Sequence, residues 1–214
     1  VTGLHPGSGF DLVGTCVGTV DLDKIIVGQD LEPGDIIVGI ASSGLHSNGF
    51  TLARRVLFEK MGLDVTSRQT GLDRTVGEEL LEPTNIYVPE AMELLEAGVK
   101  IKSFAHITGD GLLNLTRTKA KVGFRITDLP DIPPIFTVIA EGGPVTPGEM
   151  WSVFNMGIGF CAIVDADDLS KTLEITGRRY NSQLIGHVTD DPRQRVHIEP
   201  YKLVGSPKTP FCAE

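Results

Sequence analysis

The segment with the clearest chemical potential covers residues 42–49 and reads SSGLHSNG. It lies between a predicted buried strand and a predicted helix, so its backbone N–H groups, its hydroxyls and the start of the helix surround one point. This arrangement is a common way to bind a phosphate group. We predict an anion site here, with His46 beside the bound anion. The predicted site is a concave wall that contains Ser43, Gly44, His46 and Asn48, and Ser47 of the same loop is a further candidate binding residue.

The same residues also have a purely structural interpretation. Ser47 or Asn48 could simply cap the helix that follows, Gly44 could relieve a tight turn, and His46 could be an ordinary surface residue. Two glycines and three serines in one loop do not by themselves distinguish these alternatives.

A second candidate loop, HITGDG, covers residues 106–111. Its glycines permit a close approach of the backbone, and Asp110 could accept hydrogen bonds from substrate hydroxyls or join a cation site. We therefore include Thr108, Gly109 and Asp110 in the predicted binding site. The alternative is a strand-to-helix turn with Asp110 as the cap. Because His106 adjoins a predicted buried strand, we interpret it as a structural histidine.

Two further segments have residues that could line a site. Asn155 is the sole polar side chain of FNMGIGF, residues 154–160, and either contacts a ligand or marks a bend of the sheet. Asn85 and Tyr87 belong to LLEPTNIYV, residues 80–88, where packing explains them equally well. The sequence has no GxxxxGK[ST], GxGxxG, GxSxG or HExxH motif, which argues against a P-loop NTPase and a serine hydrolase.

The elements that must position these loops follow from the hydrophobic pattern, which alternates between strand and helix periods. Such alternation predicts an α/β fold, a sheet with helices packed on it. Strands are predicted at residues 10–20, 36–41, 100–107, 122–126, 157–164, 183–188 and 195–198. Helices are predicted from Asn48 to a stop at Gly62, over residues 89–98 and 135–141, after Pro147, and over residues 168–175. Irregular structure is predicted from Tyr201 onward.

The composition of the 214 residues is that of a soluble globular protein, with 41% hydrophobic and 22% charged residues. A formal net charge of −9 argues against nucleic acid as a partner. The three cysteines form no metal-binding or disulfide pattern, and no apolar run is long enough to span a membrane. The first residues, VTGLHPGSGF, lack an export signal and look like a cut edge. We therefore expect a cytoplasmic protein without metal ligands of its own.

Five ordered segments together resemble the phosphoribosylformylglycinamidine cyclo-ligase family, also called aminoimidazole ribonucleotide synthetases. They are FDLVGTCVG, GDIIVGIASSGLHSNGFTLAR, LLEPTNIYV, AHITGDGLLNLTR and FNMGIGFCAIV. The resemblance extends over residues 10–198 and matches the carboxy-terminal part of that family. It implies a mixed sheet with helices on both faces, in a three-layer domain.

The resemblance also implies an activity, which is ATP-dependent closure of an imidazole ring in purine biosynthesis. The ligands implied are a ribonucleotide substrate, ATP and Mg²⁺, the last two held mainly by an amino-terminal half that residues 1–214 do not contain. In the complete protein it implies a homodimer. His46 is then the expected catalytic residue, and Ser43, Gly44, Ser47, Asn48, Thr108, Gly109, Asp110 and Asn155 are the expected substrate-binding residues.

The implied domains are a last strand and linker of the other half at residues 1–30, an α/β domain at 31–200 and an irregular tail at 201–214. One departure is Asp110, where many family members have a third glycine, which argues against direct phosphate contact at that position. Two alternatives stay open. The chain could belong to another ATP-dependent synthetase or kinase of the superfamily, or it could be a binding or assembly domain without catalysis.

Overall fold

The computed structural model describes residues 13–214, which form one eight-stranded sheet with flanking helices. The strand order is β2-β4-β1-β5-β3-β6-β7-β8. Neighbouring strands are antiparallel except for β3 and β6, which run parallel, so the sheet is mixed. The strands are β1 Ile36–Ala41, β2 Ile101–His106, β3 Gly123–Ile126, β4 Ile158–Val164, β5 Ser182–Thr189, β6 Val196–Ile198, β7 Leu203–Ser206 and β8 Thr209–Ala213.

Helices cover both faces of this sheet. They are α1 Phe50–Arg54 with a π-helical continuation Arg55–Lys60, α2 Val76–Leu80, α3 Val88–Glu96, α4 Pro134–Gly142, α5 Pro147–Val153 and α6 Leu169–Thr176. Short 3-10 segments occupy Leu22–Lys24, Gly111–Thr116, Ala166–Asp168 and Glu199–Tyr201.

The two faces have separate hydrophobic clusters because successive residues of a strand point to opposite sides. Ile37 of β1 packs in the larger cluster, which includes Ile135 of α4. Its neighbour Ile36 packs in the smaller one, together with Leu94 of α3 and Ile175 of α6. Apolar runs such as IIVGIA therefore form strands covered on both sides, and the predicted α/β fold, a mixed sheet with helices on both faces, is confirmed.

The helix that follows the 42–49 loop shows how local sequence sets element boundaries. It begins at Phe50, changes from α to π hydrogen bonding at Arg55, and ends near Gly62, which has a φ of +67°. A left-handed residue cannot continue a right-handed helix, so the predicted stop at Gly62 is confirmed.

Two predictions about the ends of the chain are wrong. Residues 13–20 form no strand, and Val13 and Val17 are each 90% exposed, since no neighbouring strand of the described chain pairs with them; residues 10–12 of that predicted strand lie outside the described residues. The predicted irregular tail instead contains β7 and β8, which pair as a hairpin.

Among residues 13–214, no helix combines the length and the apolar character needed to cross a membrane. The domain boundaries stay predictions.

Candidate functional site

The 42–49 loop is held against the segment that leads into α3. Ser43 Oγ donates a hydrogen bond of 2.6 Å to the carbonyl of Pro83. The carbonyl of Ala41 accepts from both Asn85 Nδ2, at 3.1 Å, and the Tyr87 hydroxyl, at 2.8 Å. The end of β1 and residues 83–87 therefore form one connected wall, and burial raises the pKa of Tyr87, which keeps its hydroxyl protonated as a donor.

His46 lies beneath this wall. Its φ of +57° folds the side chain back under the turn, where Nε2 accepts a hydrogen bond of 3.1 Å from the N–H of Ser43. Room for the ring comes from Gly159 of β4, because a Cβ at that position would lie 2.6 Å from His46 Cε1 and would also collide with the Tyr87 hydroxyl. The histidine is consequently only 6% exposed.

The burial of His46 fixes its charge and its proton. Loss of hydration, with a smaller contribution from His106, lowers the pKa of His46 from 6.5 to about 4. The ring is therefore neutral near pH 7. Because Nε2 accepts from Ser43, the proton is on Nδ1, a buried atom without a hydrogen-bond partner among the described residues. The site thus contains an unused N–H donor.

This placement corrects the prediction of an open wall that includes His46. The alternative of a surface histidine is wrong as well, because the positive φ and the missing Cβ of Gly159 draw the ring inward. Ser43 and Asn48 are half-buried, Ser47 is exposed and Gly44 is buried. A ligand on the loop could reach Nδ1 of His46 only if the covering turn moved.

The other structural interpretation of this loop, a cap from Ser47 or Asn48, is wrong too. Gly49 occupies the N-cap position of α1 with a φ of +78°, and no described side chain caps the helix there. The hydroxyl of Ser47 lies 3.3 Å from that of Thr84.

Asn155 holds the loop from below. Its Oδ1 accepts from the Ser42 hydroxyl and from the N–H of Gly157, each at 2.9 Å. Its Nδ2 donates to the carbonyls of Gly44, at 2.8 Å, and Leu45, at 3.3 Å. All four hydrogen-bonding positions of the amide are therefore used within the protein, at a residue that is 3% exposed. The geometry favours positioning of the His46 turn over the predicted ligand contact.

The second loop is fixed in a similar way by Asn114. Its Oδ1 accepts from the N–H of Thr108, at 2.9 Å, and from the Thr108 hydroxyl, at 3.0 Å, while its Nδ2 donates to the carbonyl of Gly109 at 2.8 Å. A Cβ on Gly109 would lie 3.6 Å from Oδ1 of Asn48. The structure thus brings the two predicted loops together at Gly109 and Asn48.

Asp110 differs from its expected role. It has a φ of +75° and stands at the N-cap of the 3-10 segment, but its side chain caps no described N–H group there. Instead the carboxylate pairs with Arg117 at 3.1 Å, and both side chains are largely exposed. The alternative in which Asp110 caps this segment is therefore wrong, and its role in substrate binding stays a prediction.

His106 is the second histidine whose environment differs from the prediction. It is exposed at the end of β2 and lines an apolar hollow of about 370 Å³ with Asn85, Tyr87 and Phe160. Its ring centroid lies 6.3 Å from that of Tyr87 and 6.4 Å from that of Phe160. Partial burial lowers the pKa of His106. Because the side chain of His106 is exposed in this hollow at the end of edge strand β2, the prediction of a buried structural role for it is wrong.

Sequence reasoning missed three residues that shape the site: Asn114, Gly159 and Phe160. Asn114 carried a usable signal, since an amide within the apolar run GLLNL needs buried partners. Gly159 and Phe160 look like ordinary strand residues, and their importance comes from contacts with Tyr87 and His46 that no local pattern shows.

Comparison with known families matches the chain to one of them. The family described as AIR synthase related protein, C-terminal domain, matches residues 32–199. Over 181 residues the chain is 49% identical to the phosphoribosylformylglycinamidine cyclo-ligase of Methanothermobacter thermautotrophicus. This alignment covers 85% of the present chain and 53% of the Methanothermobacter protein. The Methanocaldococcus jannaschii protein of the same name is 44% identical over 200 residues, with 92% and 55% covered. The chain spans about half the length of the curated relatives it matches.

Solved structures with a similar fold have much lower identity. Escherichia coli HypE aligns with a TM-score of 0.52 at 19% identity, covering 86% of this chain and 52% of that one. The hydrogenase maturation protein HypE in complex with ATP aligns with a TM-score of 0.54 at 13% identity, covering 86% and 53%. These two likenesses concern the fold.

Proposed function

The chain belongs to the AIR synthase related protein family, whose C-terminal domain it contains over residues 32–199, and from this premise we propose that it forms the carboxy-terminal half of a phosphoribosylformylglycinamidine cyclo-ligase. The proposed reaction is closure of the imidazole ring of formylglycinamidine ribonucleotide at the expense of ATP. ATP phosphorylates the formyl oxygen, an internal nitrogen attacks that carbon, and the oxygen leaves as phosphate. The proposal rests on one observation, the 44–49% identity to relatives that carry this name.

We propose that this chain binds the ribonucleotide along the two loops that meet at Gly109 and Asn48. Ser43, Ser47 and Asn48 offer hydroxyl and amide groups on one side, and the 108–110 loop borders them through Gly109. Asn155 and Asn114 keep these loops in shape without touching the ligand.

We propose that His46 acts as a neutral hydrogen-bond donor. A pKa of about 4 makes it a poor proton donor near pH 7, whereas its Nδ1–H lacks a partner in the described chain. We propose that the turn opens when substrate binds and that Nδ1–H then donates to the activated oxygen. Such a donor stabilises charge that develops on oxygen in the transition state.

ATP and Mg²⁺ are assigned in this proposal to the other half of the protein. Within residues 13–214 there is no group of three or more His, Cys, Asp or Glu side chains that could hold a metal ion. The described residues therefore offer no complete ligand set of their own for Mg²⁺, and no step of the proposal passes through such a site. A homodimer, a cytoplasmic location and the absence of nucleic-acid and membrane partners are further parts of the proposal.

A chimera tests the proposal. Residues 32–199 replace the matching part of the Methanothermobacter thermautotrophicus cyclo-ligase, and formation of aminoimidazole ribonucleotide and ADP is measured. We expect ring closure, and we expect His46→Asn to lower kcat/KM by at least about 10²-fold, as for other positioned polar groups. Asn tolerates a positive φ, so this substitution is compatible with the backbone conformation of the turn.

The control is Lys100→Met, at the exposed residue that precedes β2, which should leave kcat/KM unchanged. A second chimera with the Methanocaldococcus jannaschii relative guards against a poor fit between halves. If both chimeras are folded by thermal melting yet neither closes the ring, the chain is better described as a binding or assembly domain.

A further inference from the structure

A cavity of about 410 Å³ lies between the 110–117 segment and the carboxy-terminal hairpin. One wall contains Asp110, Leu113, Thr116 and Arg117, and the other contains Ser152 of α5 and the hairpin turn at residues 206–210. The hairpin lies beyond residue 199, where the family match ends. The cavity is thus built partly from a portion of the chain that lies outside the matched domain.

Hydrogen-bond donors dominate the polar lining of this cavity. Arg117 and Lys208 bring positive charge, and Ser152, Ser206 and Thr209 bring hydroxyls. The Ser152 oxygen accepts from the N–H of Phe211 at 2.9 Å, which leaves its own O–H available to donate.

The charges of the lining favour an anion. Asp110 takes one described hydrogen bond from Arg117, at Nη2, so the other guanidinium N–H groups remain for a ligand. Lys208 is exposed and forms no ion pair with any residue in the described range. The cavity lining contains two cationic side chains, Arg117 and Lys208, and one carboxylate, Asp110. It is therefore locally positive on a chain whose formal net charge is −9.

The size and the hydroxyls indicate what the anion is attached to. A guanidinium and an ammonium together suit phosphate, which offers more oxygens and more charge than a carboxylate. The cavity is large enough for a small metabolite rather than an ion alone. Hydroxyl-bearing walls pair well with the hydroxyls of a sugar.

We propose that this cavity binds a small phosphorylated sugar, with its phosphate between Arg117 and Lys208 and its hydroxyls against Ser152, Ser206 and Thr209. None of these five residues takes part in the proposed ring closure, although Asp110 on the cavity wall belongs to the 108–110 loop that borders the proposed ribonucleotide site.

Calorimetric titration of the 214-residue chain with ribose 5-phosphate, inorganic phosphate and ribose tests the site. We expect ribose 5-phosphate to bind at least about tenfold more tightly than inorganic phosphate, and ribose to show no binding. Amide NMR signals of Lys208 and Thr209 should shift during the titration. Comparable affinities for all three compounds, or shifts confined to other residues, would overturn the proposal.

Variants locate the binding. Arg117→Met and Lys208→Met should each weaken ribose 5-phosphate by about tenfold or more, since each removes a charge-assisted hydrogen bond. Asp110→Asn should tighten it, because the repulsion and the competition for Arg117 disappear. The matched control Lys100→Met, next to β2 at the opposite edge of the sheet, should have no effect. Equal affinity in Arg117→Met, Lys208→Met and the control would show that the sugar phosphate binds elsewhere.

Discussion

His46 combines a left-handed backbone with a neutral, buried ring, and both properties depend on residues far along the chain. Gly159 leaves space for the ring, and Asn155 holds the carbonyls of the turn above it. The chemistry of this histidine is therefore a property of the packed loop rather than of the loop sequence.

The depressed pKa of His46 predicts a specific dependence of stability on pH. The unfolded chain binds a proton at this residue below its ordinary value of 6.5, whereas the folded chain binds it only below about 4. Stability therefore falls as the pH decreases from about 6.5 to about 4 and then levels off for this group. His106, whose pKa is also lowered, acts in the same direction.

Urea unfolding midpoints measured across this pH range check the effect. In His46→Asn the slope between pH 6.5 and pH 4 should be smaller, because the titrating group is gone. Identical pH profiles for the two proteins would contradict a buried neutral His46.

The hydrogen bonds of Asn155 lead to a second prediction, which concerns the stability of the folded chain. Asn155→Ala leaves the hydroxyl of Ser42, the N–H of Gly157 and two carbonyls without this partner. Each unsatisfied buried group costs about 1–3 kcal/mol, so we expect a loss of stability of several kcal/mol. Thermal or urea unfolding measures the loss, and Ser152→Ala, a partly buried hydroxyl with one hydrogen bond from Phe211, is the control for a single lost partner.

A loss below about 1 kcal/mol in Asn155→Ala would show that water replaces the amide and that Asn155 does not hold the turn. The chemical shift of the His46 ring is a further readout, since it should change in Asn155→Ala and stay constant in Ser152→Ala.

Sequence reasoning identified the two candidate loops but not how their side chains are oriented. The 42–49 and 106–111 loops were recognisable from glycines and polar residues at strand ends. The sequence does not reveal the positive φ of His46, nor that His46 is buried while His106 is exposed. Tertiary contacts with Gly159 and Tyr87 decide these features.

At the scale of elements, the β7–β8 hairpin completes the sheet. Leu203 and Phe211 are each 4% exposed, and Phe211 donates its N–H to Ser152 of α5. Removal of residues 203–214 would expose β6 as a new edge, together with apolar surface that these side chains cover. We therefore expect a lower melting temperature and concentration-dependent association of the truncated chain.

Calorimetry and light scattering measure these two effects. A chain shortened by residue 214 alone is the control, and its melting temperature should fall much less, because it loses only surface contacts with His197 and Lys202. A truncated protein that stays monomeric with an unchanged melting temperature would contradict the structural role of the hairpin.

Periodicity predicted the central elements well because their apolar faces are covered on both sides of the sheet. It failed for the hairpin because Pro207 and Pro210 look like breakers. Pro207 lies in the turn and Pro210 in an edge strand, where a missing N–H is tolerated. It failed for residues 13–20 because a strand pattern forms a strand only where a partner strand is present.

At the scale of the whole molecule, the proposed reaction needs more than the described residues supply. We predict that the isolated 214-residue chain neither hydrolyses ATP nor closes the ring, since it has no P-loop motif and residues 13–214 offer no metal-binding cluster. Phosphate release and product formation measure this directly. Turnover of roughly 1 per second or faster, an ordinary enzyme rate, would contradict the division of labour between the two halves.

The four hydrogen bonds of Asn155 and the missing Cβ of Gly159 have a consequence for genetics. In a saturation mutagenesis screen of the complete enzyme, substitutions at these two positions should be among the most damaging. This holds although Gly159 has no side chain and the Asn155 amide has no free group to offer a ligand. Exposed Ser47 would tolerate more exchanges than either of them. The most sensitive positions would therefore be the residues that hold the loops in place. Substitutions that suppress the Gly159→Ala defect would be found at Tyr87, where a smaller side chain makes room for the added methyl group.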